Sequence, residues 1–434
     1  MKSLLTSLAL LLAAAPVFAQ DAPKDTQTES QRIQDLERKV DILSRQIEAQ
    51  QTGSTTPVAN GGEGSYGMGS AASKVYSATG GLSIGGYGEF LYQNFDKKFQ
   101  DGTDAPKNDQ FDTLRGVFYV GYKFNDRILF NSEVEFEHSG YSDEHPEGEA
   151  IIEFAYLDFL VNKAVNVRAG QLLLPLGFTN EMHEPPAVLS AQRPFVEKSI
   201  IPTTWHENGV GLHGELPGNL DYRLYVVEGL NAAGFSADGI AGGRQDGNKA
   251  NADRFALTGR LDWRPIPGVL GGVGFYKGSS IYSDPATGLN AGTSVPTTLL
   301  EAHAEYKASG WQFRGLYART TLGAEALGSL GAADPAYSAG TRQWGGYLEA
   351  GYDVLSHTGS KQALIPFARW ERINTQASVL AGVTPDGAND RSILTGGFSW
   401  KPIPQVAVKA SYNWIKDAAR TGRDELDLAL GYEF

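Results

Sequence analysis

Glu425-Leu426-Asp427-Leu428-Ala429-Leu430-Gly431-Tyr432-Glu433-Phe434 closes the chain. Leu426, Leu428, Leu430, Tyr432 and Phe434 occupy every second position, with Glu425, Asp427, Ala429, Gly431 and Glu433 between them. Successive side chains on a strand point to opposite faces, so this stretch is a strand with one apolar and one polar face. A strand in the wall of a membrane barrel reads this way, its apolar face in lipid and its polar face toward the lumen. An edge strand of a soluble sheet can read the same, so the rest of the sequence has to separate the two.

Sixteen strand-like segments are found, beginning near residues 82, 110, 126, 149, 164, 208, 219, 254, 268, 299, 310, 341, 362, 391, 405 and 422. The connections between them alternate between short and long. Asn125-Asp126, Asn162-Lys163, Pro217-Gly218-Asn219, Pro265 to Gly268, Ala308-Ser309-Gly310, Ser356 to Ser360 and Pro402-Ile403-Pro404 are short. Residues 96–109, 139–148, 171–207, 231–253, 280–298, 321–340 and 373–390 form the long ones, with a brief last one at 417–421. Outer-membrane barrels have short periplasmic turns and longer external loops, whereas a soluble sandwich has no reason for this parity. The expected fold is all-β, a 16-stranded antiparallel transmembrane β-barrel over 82–434. Two of the turns share one pattern, Trp263-Arg264-Pro265-Ile266-Pro267 and Trp400-Lys401-Pro402-Ile403-Pro404. Each sets a Trp at headgroup level and prolines where no ladder donor is needed.

Ahead of the barrel, Lys2, the apolar run Leu4 to Val17 and the small-residue end at Ala19 predict a signal peptide over 1–19. Residues 20–51 predict a short periplasmic coiled-coil helix, because Ile33, Leu36, Val40, Leu43 and Ile47 step by alternating threes and fours. Residues 52–81, rich in Gly, Ser, Thr and Ala, read as a flexible linker. There is no cysteine, which excludes disulfides and thiolate zinc sites, and no cofactor motif is present. The net charge of −13 argues against nucleic acid as a partner. A mean hydropathy of −0.28 fits a barrel whose polar lumen face dilutes its apolar one.

Alternation sorts side chains between lipid and lumen. Leu114, Phe118, Val120, Tyr122 and Phe124 are expected outside, with Arg115, Tyr119 and Lys123 inside. Phe255, Leu257, Leu261 and Trp263 are expected outside, with Arg254, Arg260 and Asp262 inside. Charge on the lipid face is costly, so the interior reads as a wet channel. Its acidic lining is expected from Glu133, Glu135, Glu137, Glu301, Glu305, Glu425 and Asp427. The basic lining is expected from Arg168, Arg223, Arg254, Arg260, Arg314, Arg391 and Lys409. Opposed blocks of charge would set up a transverse field that selects among polar solutes.

The connection 171–207 is too long for an idle loop. It is also apolar, with Leu172 to Leu174, Leu176, Phe178, Val188, Leu189, Val196, Ile200, Ile201 and Trp205. Such a segment needs shelter, and the lumen offers it. It is expected to fold inward as a constriction, bringing Glu181, His183, Glu184, Arg193, Glu197, Lys198 and His206 to the pore.

With Arg168-Ala169-Gly170-Gln171-Leu172-Leu173-Leu174-Pro175-Leu176-Gly177-Phe178 leading into that loop, a coiled coil before the barrel and an aromatic C-terminus, the chain resembles the phosphate-selective porin O/P family. The resemblance implies a trimeric sixteen-stranded channel in the bacterial outer membrane. Its partners would be outer-membrane lipid, lipopolysaccharide, and small hydrophilic solutes or inorganic ions such as phosphate. The family draws its anion preference from loop and wall Arg and Lys, whereas this loop holds only Arg193 and Lys198 beside its acids. Two other readings stand beside the channel: a structural tether acting through the coiled coil, and a barrel enzyme, for which no Gly-x-Ser-x-Gly elbow exists. The acidic stretch 143–149 is either a divalent-cation site or a solvated loop tip.

Overall fold

The alternation has its structural counterpart in a closed sheet. The computed structural model describes residues 64, 66–106, 108–140, 148–284, 288 and 292–434. The expected signal peptide, the coiled coil, the first part of the linker and most of the acidic stretch 143–149 lie outside these residues. The strands are β1 (Gly81–Phe95), β2 (Gln110–Asn125), β3 (Ile128–Glu137), β4 (Glu149–Leu160), β5 (Asn166–Leu173), β6 (His206–Leu216), β7 (Leu220–Glu228) and β8 (Phe255–Trp263). They continue as β9 (Val269–Ile281), β10 (Ser294–Ala308), β11 (Trp311–Leu322), β12 (Arg342–Tyr352), β13 (Ala363–Ser378), β14 (Asp390–Ile403), β15 (Val406–Asp417) and β16 (Glu425–Glu433). Each pairs antiparallel with its neighbours in sequence, and β16 closes on β1, with Glu433 opposite Tyr87 and Glu425 opposite Phe95. No helix among the described residues is long and apolar enough to cross a membrane.

Burial is inverted relative to a soluble protein. On β16, Asp427 is 0 % exposed and Glu433 5 %, while Leu428 and Leu430 are each 43 % exposed. Exposed aromatics gather at both rims: Trp263, Trp311 and Trp400 beside the short turns, Phe111 and Phe255 beside the long loops. An outward apolar band flanked by aromatic girdles is what a bilayer requires of a barrel wall.

The register shifts at several points, and two of these bulges turn side chains against the expected alternation. Between β1 and β2, Phe90 alone faces both Thr113 and Leu114, because Glu89 pairs with Arg115 and Leu91 with Asp112. Leu114, expected on the lipid face, therefore turns inward and packs on Leu91 and Ala191. Between β3 and β4, Glu133 pairs with Phe154 and Val134 with Ile152, which leaves Glu153 as the extra residue. An inserted residue re-aims its side chain, and Glu153 and Phe154 are both buried inside. β10 begins at Ser294, not near 299, with Pro296 opposite Ser279 and facing outward.

Two segments fill much of the lumen. The chain between β5 and β6 folds inward as expected and carries a short helix, α2 (Val196–Ser199). Its Leu174, Leu176, Val196, Ile200, Ile201 and Trp205 are fully buried, in one core with Tyr225, Tyr276, Leu299 and Ile393 from the wall. The second segment precedes β1. Residues 66–80, expected as the end of a flexible linker, instead form an ordered strap with a one-turn helix, α1 (Lys74–Ser77). Met68, Ala71, Ala72 and Val75 are buried, Asn131 Nδ2 donates to the Ala72 carbonyl (2.9 Å), and Lys123 Nζ to that of Ala78 (2.7 Å). Small residues on both sides let the strap lie against the wall: a Cβ at Gly67 of the strap would stand 2.9 Å from the Arg223 guanidinium. Gly121 leaves room for Val75, whose Cβ would stand 2.7 Å from any side chain begun there.

The lumen constriction

The constriction loop is held by hydrogen bonds within itself and from the wall. Glu197, fully buried, receives the N–H groups of Phe178 (2.8 Å) and Thr179 (2.7 Å), the Thr179 hydroxyl (2.9 Å) and the Tyr347 hydroxyl of β12 (2.7 Å). Gly177, at φ +65°, sits so close that a Cβ there would stand 2.6 Å from the Glu197 carboxylate. Glu371 of β13 accepts the Val196 N–H (2.9 Å) and is braced by Arg369 (2.8 Å), which also reaches Ser190 (2.6 Å). On β15, the Ser411 hydroxyl accepts from Ala191 N–H (3.0 Å), and Lys409 donates to the Ser190 carbonyl (3.0 Å).

With the loop in place, the lumen keeps two sizeable chambers open to water among those bordered by the described residues. One of about 400 Å³, toward the long loops, is bordered by the loop's His183, Arg193 and Lys198, by Lys409, and by Glu89, Asp112, Arg115, Glu135, Glu137, Glu149 and Glu153 of the β1–β4 wall. The other, about 320 Å³ and toward the short turns, is bordered by Tyr66, Met68, Glu181, Arg223, Arg260, Asp262 and Arg264. Residues 181 to 183 thus stand between them.

Most predicted lumen charges do point inward, but they do not form two opposed blocks. Arg115 lies 3.4–3.5 Å from Glu89, Glu135 and Glu137. Arg168 pairs with Asp158 (3.0 Å) and lies over the Tyr156 ring, and Tyr76 of the strap donates to the same carboxylate (2.7 Å). Arg223 bridges Glu181 and Asp262, each at 3.1 Å. Arg260 pairs with Asp262 (2.8 Å) and reaches the Gly177 carbonyl. Arg314 pairs with Glu305 (2.6 Å). Arg391 donates to Ser199 Oγ of the loop (3.1 Å). Arg254 does not line the lumen: it precedes β8 at the long-loop rim, where it is exposed and bonds the Asp253 carbonyl.

The loop's own charges divide by direction. Glu184 and Glu197 are buried away from the larger chamber, as is Glu207 at the start of β6, and Glu181 is tied to Arg223. Arg193 and Lys198 border that chamber and bond only neutral oxygens, Thr204 Oγ1 (3.3 Å) and Gln192 Oε1 (2.8 Å). Burial raises the Glu181 carboxyl and lifts Glu184, packed against Gly69 of the strap, to about 7. Enclosure by the barrel wall, reinforced by Arg193 and Arg115, brings the Lys198 ammonium down to about 8.

His183, Glu133 and Glu135 meet beside a residue the sequence reading passed over, Glu153. Its signal was present: counting back from Leu157 and Phe159, the alternation places Glu153 among lipid-facing residues, where a charge implies a bulge. The reading also missed Glu371 and Arg369, whose role appears only when the loop lies across β13.

A protein of Aquifex aeolicus strain VF5, described only as uncharacterized, is 36 % identical over 356 residues, covering 80 % of this chain and 78 % of its own. The chain belongs to that protein's family. No family model matches the sequence. Solved structures similar to this member of the family include the anion-selective porin from Comamonas acidovorans (TM-score 0.51, 10 % identity, 81 % of this chain and 99 % of that one). Salmonella typhi OmpF in complex with daunomycin matches with TM-score 0.51, 11 % identity and coverages of 82 % and 98 %. So does in-vitro folded OmpT, an outer membrane protein of Vibrio cholerae in its trimer form, at 0.51, 11 %, 82 % and 100 %. At such identities the likeness is one of fold, and the fold is that of an outer-membrane porin.

Proposed function

We propose that this protein is an outer-membrane channel for passive diffusion of small hydrophilic solutes and ions. The observation that carries the reading is a closed barrel with lipid-compatible side chains outside and charged, water-lined chambers inside, separated by an inward loop. A barrel serving only as an anchor has no need of such an interior.

Within that reading, small anions are the preferred solutes. The loop offers the larger chamber Arg193 and Lys198 while turning its carboxylates away, and Lys409 adds a third cation at the same chamber. Although the lumen as a whole has no opposed blocks, a local separation of sign is proposed at this chamber, where Arg115 is the one Lys or Arg that the acidic β1–β4 wall itself contributes. The resemblance to the phosphate-selective porin O/P family agrees with anion transport without singling out phosphate. A trimer is proposed by analogy with the trimer form among the similar folds. Reversal potentials across a planar bilayer under a chloride gradient test the preference. An anion-favouring sign that weakens in Arg193→Ala and Lys198→Ala supports it, and a cation-favouring sign in the unmodified protein overturns it.

A further inference from the structure

Glu133, Glu153 and His183 come from β3, from the bulge of β4 and from the constriction loop, and each offers a ligand atom within 4.8 Å of the others. All are buried, with exposures of 0 %, 2 % and 2 %. His183 Nδ1 lies 3.2 Å from the Asn180 carbonyl, an acceptor, so Nδ1 is the nitrogen that carries hydrogen. Nε2 then aims at Glu133 Oε1 (3.1 Å) and Oε2 (3.2 Å) and at Glu153 Oε2 (3.4 Å). A neutral imidazole would set its lone pair against those of two carboxylates. A hydrogen bond from the far nitrogen to a backbone carbonyl is also how a metal-bound histidine is usually oriented.

A second observation comes from the carboxylates. Glu153 Oε1 accepts the Thr204 hydroxyl (2.6 Å), but Oε2, buried and aimed into the cluster, has no hydrogen-bond donor. Neither oxygen of neighbouring Glu135 has one either, and its ion pair with Arg115 is long at 3.5 Å. Buried carboxylate oxygens without donors are costly, and a cation among them removes that cost.

The two distances from His183 fit a small divalent ion. With bonds of about 2.1 Å, tetrahedral donors stand roughly 3.4 Å apart and octahedral donors roughly 3.0 Å apart. The distances from His183 Nε2, 3.1 and 3.4 Å, fall on these values. One imidazole with carboxylates suits a first-row ion such as Zn²⁺ more than Ca²⁺, which takes oxygen ligands. Glu135, Glu153 and His183 border the larger chamber, which supplies a path of entry. We infer that Glu133, Glu153 and His183 bind one first-row divalent cation that fastens the constriction loop to the β3–β4 wall. The inference is independent of conduction, since the ion would be held whether or not solute passes.

The test uses the full-length, untagged protein in detergent, stripped with EDTA and titrated calorimetrically with Zn²⁺. Co²⁺ gives a separate reading through its visible absorption. Glu153→Gln keeps the shape of the side chain, and His183→Asn removes the nitrogen ligand. Heat-modifiable gel mobility confirms that each variant is a folded barrel. One tight site per chain is expected, weakened in both variants by more than the roughly 10–100-fold that loss of an outer-shell partner costs. His138→Ala, altering a half-exposed histidine paired with Asp112, should leave that site intact. Absence of a tight site in the folded protein, or binding of equal strength in Glu153→Gln and His183→Asn, would overturn the inference.

Discussion

Replacing Glu197 with alanine should free the constriction loop while leaving the barrel closed. The carboxylate satisfies the Phe178 and Thr179 N–H groups and two hydroxyls, all inside the lumen. The hydroxyls of Thr179 and Tyr347 can turn toward other acceptors, but the two N–H groups are fixed by backbone geometry. A hydrogen bond to a charged group contributes about 1.5–3 kcal/mol, so two together amount to about 3–6 kcal/mol. Both N–H groups and the carboxylate belong to the loop, so this corresponds to a roughly 10²–10⁴-fold rise in the population whose internal fold is lost, and with it the Tyr347 bond to the wall. The sixteen-strand ladder uses none of these bonds, so the folded barrel should persist by gel mobility. Single-channel recording should show higher mean conductance and more open-channel noise, and hydrogen exchange should accelerate at residues 178–180. Glu197→Gln, which can keep its carbonyl toward the two N–H groups, should fall between. Unchanged conductance, noise and exchange in Glu197→Ala would refute the claim that this carboxylate holds the loop.

Three further outcomes follow from other parts of the molecule. Leu428→Lys places a charge on the lipid face of β16 and should destabilise the folded barrel by about 2–4 kcal/mol if that position lies near the bilayer midplane, read by urea titration in liposomes. Tyr76→Phe deletes the hydroxyl that bonds Asp158 and Arg168, at 2.7 and 2.9 Å, and about 1–3 kcal/mol of strap docking, so exchange at residues 68–77 should rise. Lys198 is charged below about pH 8 and neutral above it, so anion preference should decline from pH 7 to pH 9. Its surroundings include Arg193, Arg115, Glu425 and Asp427, with Lys409 bordering the same chamber, so Lys198→Gln should reduce this decline in reversal potential without abolishing it.

The strands and their order were legible because a two-residue period and turn-forming residues are local signals. Their ends were less so: Pro296 read as loop, although an outward-facing proline is tolerated in β10. Side-chain direction was legible wherever alternation ran unbroken and failed at the bulges, where Leu114 and Glu153 turn inward against the count. The inward loop was legible from its apolar content and length. Its charge pairing was not, because Arg223 meets Glu181 and Arg115 meets Glu89, Glu135 and Glu137 only once register is fixed. The strap was hidden for a different reason. Small residues carry no periodic pattern, and their fit depends on gaps such as that at Gly121.

The central claim is that the lumen conducts, and planar-bilayer recording of the purified, folded protein tests it most directly. Discrete single-channel steps are expected, with a reversal potential in asymmetric chloride that moves toward zero when Arg193 and Lys198 are both replaced by alanine. A folded barrel that inserts and gives no steps would contradict the account.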